Sequence, residues 1–119
     1  MRLSLTLAAL LLVLASTTQA SEWTIPKKLT AGTSDDIAPS MIQDVSGKYW
    51  FFWQRGCMSA GATGYIYYKT FLEEWSDDIK LPTSSSKECH PSIAKGSKYC
   101  VVWMSYRDDD YNIYYKSSE

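Results

Sequence analysis

Apolar and polar positions fall into a pattern that runs through the chain twice. Tyr49-Trp50-Phe51-Phe52-Trp53 is a short, unbroken apolar run, and Tyr99-Cys100-Val101-Val102-Trp103 is its echo. Continuous runs of aromatic and β-branched residues predict strands buried on both faces; a strand with one wet face would alternate. The same words surround each run in the same order. Trp23 and Leu29 correspond to Trp75 and Leu81, Pro39-Ser40 to Pro91-Ser92, and Ile66-Tyr67-Tyr68-Lys69 to Ile113-Tyr114-Tyr115-Lys116. A period near fifty residues, with its shortfalls in turns, belongs to solenoid and propeller repeats.

The elements follow from this register. Strands are expected over residues 23–30, 39–44, 49–54 and 64–70, and again over 75–81, 92–95, 99–105 and 111–117. Val45-Ser46-Gly47-Lys48 has turn composition, and the glycine-containing stretch 55–64 reads as a longer loop. No window carries a helical period. The expected fold is all-β, with about eight short strands in two cycles of four, and repeats over about 23–70 and 75–117.

Residues 1–20 stand apart. Arg2 precedes an apolar stretch from Leu5 to Ala15, and Thr18-Gln19-Ala20 leaves small residues before Ser21. These are the parts of a cleavable signal peptide, and the apolar run is short for a membrane span. Cleavage would leave 99 of the 119 residues as a secreted, extracellular chain. Losing Arg2 lowers the 12 basic residues to 11, against 13 acidic ones. That balance gives no electrostatic reason to expect nucleic acid or an anionic membrane surface as a partner. Three cysteines in an oxidising compartment allow one internal disulfide and leave one thiol. Cys57 and Cys89 read as loop residues and are the preferred pair. Cys100, inside an apolar strand, reads as a buried thiol, with a link between two chains as the other reading.

The repeated unit of Trp, Leu, Pro-Ser-Ile, Gly-Lys, paired aromatics and Ile-Tyr-Tyr-Lys resembles the repeats of sialidase-like (BNR-type) β-propellers. The resemblance implies two four-stranded, propeller-type blades, a partial β-propeller, over residues 21–119. It says little about activity, because propellers host unrelated functions. Two features depart from the family pattern. Thr70-Phe71-Leu72-Glu73-Glu74 stands before Trp75 where an Asp box would need its Asp and Gly, and Arg55 and Arg107 are the only arginines after the leader. An arginine triad that clamps a substrate carboxylate cannot be assembled from two. In blade geometry, the chain leaving the second strand and the chain entering the next blade meet at one rim, which also favours Cys57–Cys89. Two blades cannot close a ring of four to eight, so the resemblance implies a homo-oligomer completing a propeller, or a piece of a larger one.

Candidate site residues come from loops expected on one face of such blades. Arg55 and Arg107 could hold a carboxylate or lie beneath a ring; bridging loop carbonyls is the structural alternative. Tyr67 and Tyr114 are candidate sugar platforms, although rings between sheets also simply fill space. Asp108 and Asp110 lie in an acidic turn. With Asn112 and Glu119 it superficially matches a calcium loop, but Ile113 occupies the position where glycine is needed. A hairpin turn is preferred there, and no metal or cofactor is expected. His90 beside Cys89 is too sparse for a zinc site. The expectation is a secreted, non-catalytic binding module for carbohydrate or another extracellular ligand. A glycosidase-like enzyme, active only once chains pool their residues, is the alternative.

Overall fold

Seven strands and no helix carry the regular structure of residues 22–57, 62–83 and 85–119, which the computed structural model describes. They are β1 (Asp36–Gln43), β2 (Tyr49–Gly56), β3 (Gly64–Phe71), β4 (Ile79–Lys80), β5 (Glu88–Lys95), β6 (Tyr99–Arg107) and β7 (Asp110–Ser117). The leader read in residues 1–20 lies outside the described residues. Each strand pairs antiparallel with its neighbours in a four-stranded sheet, β1-β2-β3-β4, and a three-stranded sheet, β5-β6-β7. The all-β reading holds, as two sheets of unequal size rather than two of four strands.

Local chemistry explains the hairpins. Asp44 Oδ1 accepts from the Ser46 and Lys48 amides at 2.8 and 3.1 Å, and Gly47 takes φ +85° to complete the β1–β2 turn. Asp108 and Asp109 both have positive φ between the paired Arg107 and Asp110, the conformation of a tight two-residue hairpin. The acidic stretch is therefore a hairpin turn. Among the described residues, no group of metal-ligating side chains could hold an ion.

The repeat is visible in the ladders. Gln43 faces Tyr49 and Ser40 faces Phe52 in the first sheet; Lys95 faces Tyr99 and Ser92 faces Val102 in the second. Each first strand carries a register break before Ser40 or Ser92, with Ala38 (φ 54°) or His90 (φ 53°) preceding its proline. Two residues there face one on the partner strand, a bulge that bends the strand. The break hides the beginning of the strand from a reading of apolar runs: β1 and β5 start at Asp36 and Glu88, before Pro39 and Ser92. Cys89 and His90 consequently belong to a strand rather than a loop.

The strands expected over 23–30 and 75–81 are corrected more heavily. Residues 23–30 are irregular, and of 75–81 only β4 is strand, with Trp75 making an isolated bridge to Phe71. β4 exists because β3 offers it an edge: Lys80 faces Tyr67, Ile79 faces Tyr68, and the Leu81 amide donates to the Ile66 carbonyl at 2.8 Å. Among the described residues, Lys27, Lys28 and Leu29 pair with no strand edge, and strand pairing is what would make them a strand.

One face of the first sheet packs on one face of the second. Phe52, Ile66 and Leu81 meet Ile93, Val101 and Trp103, flanked by half-buried Trp50, Tyr68, Tyr99 and Tyr114. Polar bonds fix the approach. The Ile93 amide donates to Ser40 Oγ at 3.0 Å, the His90 amide to Gln54 Oε1 at 2.8 Å, and the Tyr99 hydroxyl to Asp44 Oδ2 at 2.6 Å. The disulfide Cys57–Cys89 joins the sheets, with Cα atoms 6.3 Å apart. Cys100 is free, but half-buried rather than enclosed. Burial on both faces holds for the Phe52-Trp53-Gln54 stretch of β2 and fails for β6, where Val101 and Trp103 are buried while Val102 is exposed.

Candidate functional site

Both arginines lie in strands, Arg55 in β2 and Arg107 at the end of β6, not in loops. Each is bound to the acid that opens the neighbouring strand and stacked on a tyrosine of the next. Arg55 holds Asp36 through Nε (2.7 Å) and Nη2 (3.1 Å) and lies 4.3 Å over the Tyr67 ring. Arg107 reaches Glu88 Oε1 through Nη2 (3.1 Å) and lies 4.0 Å over Tyr114. It sits two positions farther along its strand than Arg55 and is steadied by Ser105 Oγ, which accepts from its Nε at 2.9 Å. Ser105 itself stands in the register position of Arg55, opposite Glu88. The structure thus pairs Arg55 with Tyr67 and Arg107 with Tyr114, as two separate clusters. Asp108 is exposed in the turn beyond Arg107 and Asp110 is exposed at the start of β7; among the described residues, Arg107 is ion-paired to Glu88 and to neither of them.

Around Arg55 the charges close on themselves. Asp78 places Oδ2 2.7 Å from Arg55 Nη2 and Oδ1 2.9 Å from Lys69 Nζ, and the Ala31 amide donates to Oδ2 at 3.0 Å. Burial opposes the charge on Asp78, yet Arg55, Lys69 and the Ala31 amide outweigh it and hold the carboxyl down at about 2. Asp36 follows the same balance: burial raises its pKa, and hydrogen bonds from Arg55, Thr30 and Trp53 bring it below the ordinary value. The Trp53 indole Nε1 donates to Asp36 Oδ1 at 2.9 Å. Gly32 passes so close beneath the Arg55 guanidinium that a Cβ there would collide with it.

Around Arg107 the same parts recur without the second acid. Lys116, the repeat partner of Lys69, donates to the Pro82 carbonyl at 3.1 Å, as Lys69 donates to the Leu29 carbonyl at 2.9 Å. Thr83, fifty-two residues after Ala31, stands near it, but no described residue occupies the place of Asp78. A groove of about 480 Å³ opens there, bordered by Pro82, Thr83, Trp103, Arg107, Tyr114 and Lys116 among others. None of its described lining residues is acidic. Trp103 Nε1, Thr83 Oγ1 and Glu88 Oε2 are buried with no hydrogen-bond partner among the described residues, and such groups cost free energy until something bonds them.

Asp36, Asp78, Glu88, Trp103, Thr83 and Lys116 were not singled out as site residues by sequence. Carrying the fifty-two-residue offset back from Pro39/Pro91 would have paired Asp36 with Glu88. No local signal marks Asp78. His90 and Cys89 make no nucleophile pair, since Cys89 is in the disulfide. The chain matches no protein-family model, no curated protein and no solved structure.

Proposed function

We propose that the chain is a secreted, non-catalytic binding module, built of propeller-type blades, that holds an acidic carbohydrate or another carboxylate-bearing extracellular ligand. One observation carries this reading. The cradle of Arg, Lys, Trp and stacked Tyr occurs twice, and an internal carboxylate, Asp78, fills only the first. In the second, a ligand carboxylate would meet Arg107 and Lys116, with the Trp103 indole and Thr83 hydroxyl as uncommitted donors and the Tyr114 ring as a wall. Planar guanidinium suits a carboxylate, and an aromatic ring suits the apolar face of a sugar. The catalytic alternative gains no support from Arg55, whose guanidinium is already held by two carboxylates.

A glycan array spanning acidic and neutral sugars tests the reading, with Arg107→Ala and Lys116→Ala alongside. Acidic glycans are expected to bind. Each variant should lose roughly tenfold or more, the worth of one charge-assisted hydrogen bond. Preference for neutral glycans, or binding indifferent to both substitutions, would overturn it. Turnover of a fluorogenic sialoside abolished by Arg107→Ala would install the glycosidase reading instead.

A further inference from the structure

The second sheet repeats the first, yet only the first has its outer neighbour. Phe52 and Tyr68 face each other on the covered side of the first sheet, as do Gln54 and Ile66. Their register partners in the second sheet are Val102 with Tyr115 and Met104 with Ile113. That side of the second sheet is uncovered: Ile66 is wholly buried, whereas Ile113 and Tyr115 are each 73% exposed. The edge differs in the same way. β3 receives β4, but β7 ends the sheet order with no strand beyond it. Contiguous apolar surface and an open strand edge, taken together, mark an association site.

We infer that a second copy of this chain covers that face and edge, docking its own first sheet as the second sheet docks within the chain. The internal interface supplies the template. Ile93, Val101 and Trp103 pack on the first sheet, and their register partners in a docking copy are Met41, Phe51 and Trp53. Met41 is more than half exposed. Ser40 Oγ accepts the Ile93 amide inside the chain; Ser92, exposed at the same register, is placed to accept the Met41 amide of the incoming copy. The strand that β7 lacks comes from residues 23–30. Fifty-two residues separate Lys27, Lys28 and Leu29 from Ile79, Lys80 and Leu81. Lys27 therefore pairs with Tyr115, Lys28 faces Tyr114, and the Leu29 amide donates to the Ile113 carbonyl of the neighbour. Leu29 is already held on its own sheet through Lys69, as Pro82 is through Lys116, so the segment lies ready beside the first sheet.

The contact is head-to-tail, so it repeats until rotation closes it into a ring or leaves an open chain. The copies differ from the template where Gln54 becomes Met104 and Asp44 becomes Gly96, so the apolar part of the interface recurs and two of its polar bonds do not. Where Asp78 stands in the template the incoming segment has Pro26, so assembly leaves the groove beside Arg107 without an internal acid.

Light scattering on the full chain, with Ile113→Asp and a Lys27→Cys/Tyr115→Cys double variant, tests the inference independently of any ligand. The unaltered chain is expected at a multiple of the single-chain mass. Ile113→Asp should fall to the single-chain mass with Cys57–Cys89 intact, and the double variant should give disulfide-linked ladders under oxidation. A folded unaltered chain of single mass would overturn the inference. So would association undiminished by Ile113→Asp, or absence of cross-linking in an associated double variant.

Discussion

Phe52 and Val102 hold the same register position in their sheets, opposite Ser40 and Ser92, and live in different surroundings. Phe52 is 5% exposed between the sheets; Val102 is 37% exposed on the far side of the second. The arginine clusters differ in parallel. The first contains two cations and two carboxylates in mutual contact; the second lines a groove with two cations and has one carboxylate on Arg107. A repeat thus carries its chemistry forward while its neighbours do not follow. Interactions supplied within one unit recur: the Arg–acid bridge, the Tyr stack, the bulge before Pro-Ser. Interactions supplied by the following unit, namely Asp78, β4 and the covering sheet, are made on the first sheet and, among the described residues, not on the second.

The largest way to break this comparison is to truncate the equivalent pair. Phe52→Ala should cost about 3–5 kcal/mol, because it empties a packed core position, whereas Val102→Ala should cost less than about 1 kcal/mol. Urea unfolding of both variants measures the difference. Equal losses would mean that the two sheets are equally enclosed. The disulfide comes next. Cys57→Ser/Cys89→Ser opens a crosslink spanning 32 residues, with an expected loss of about 3–4 kcal/mol on the chain-entropy estimate. The midpoint shift of thermal unfolding reports it.

Asp78→Asn sharpens the electrostatic half. It leaves Arg55 and Lys69 facing a neutral amide and should cost on the order of 2 kcal/mol. Asp78 is held at about 2 against an ordinary 3.8. A lowered carboxyl stabilises fully above its unfolded value, and the contribution is lost as pH falls through the folded one. Stability should therefore drop as pH falls from about 4 to about 2, and Asp78→Asn should flatten that drop. Unfolding free energies across the acid range check the slope; an unchanged slope in the variant would remove Asp78 from the account.

Much of this is legible in the sequence. β2, β3, β6 and β7 follow from apolar runs and repeated words, and Cys57–Cys89 from their registration. The starts of β1 and β5 were hidden by the bulges at Ala38 and His90, because a bulge shifts the alternation that a strand is read by. Lys27, Lys28 and Leu29 have the pattern of a strand and, among the described residues, no paired edge. Pattern records what a segment can pair with, not whether the partner is in the chain. At the site, repetition pointed to Arg55 with Tyr67 and Arg107 with Tyr114. Asp36 and Glu88 were obscured by their different side chains, and Asp78 by standing in one repeat only. Asp108 and Asp110 belong to an acidic run that makes a hairpin: Asp108 and Asp109 take the positive φ that Asp tolerates, and Asp110 pairs with Arg107 as β7 begins.

Asp78 fills the Arg55 cradle, while the Arg107 cradle opens on a groove that could take a carboxylate. The indole N–H groups report this directly, since Trp53 Nε1 is bonded to Asp36 and Trp103 Nε1 has no partner among the described residues. In a two-dimensional amide spectrum, with the five tryptophans assigned by Trp→Phe substitution, the chain would be titrated with glucuronate. The Trp103 indole signal is expected to shift and saturate while that of Trp53 stays in place. A Trp103 signal that does not move, or two indoles that move alike, would contradict it.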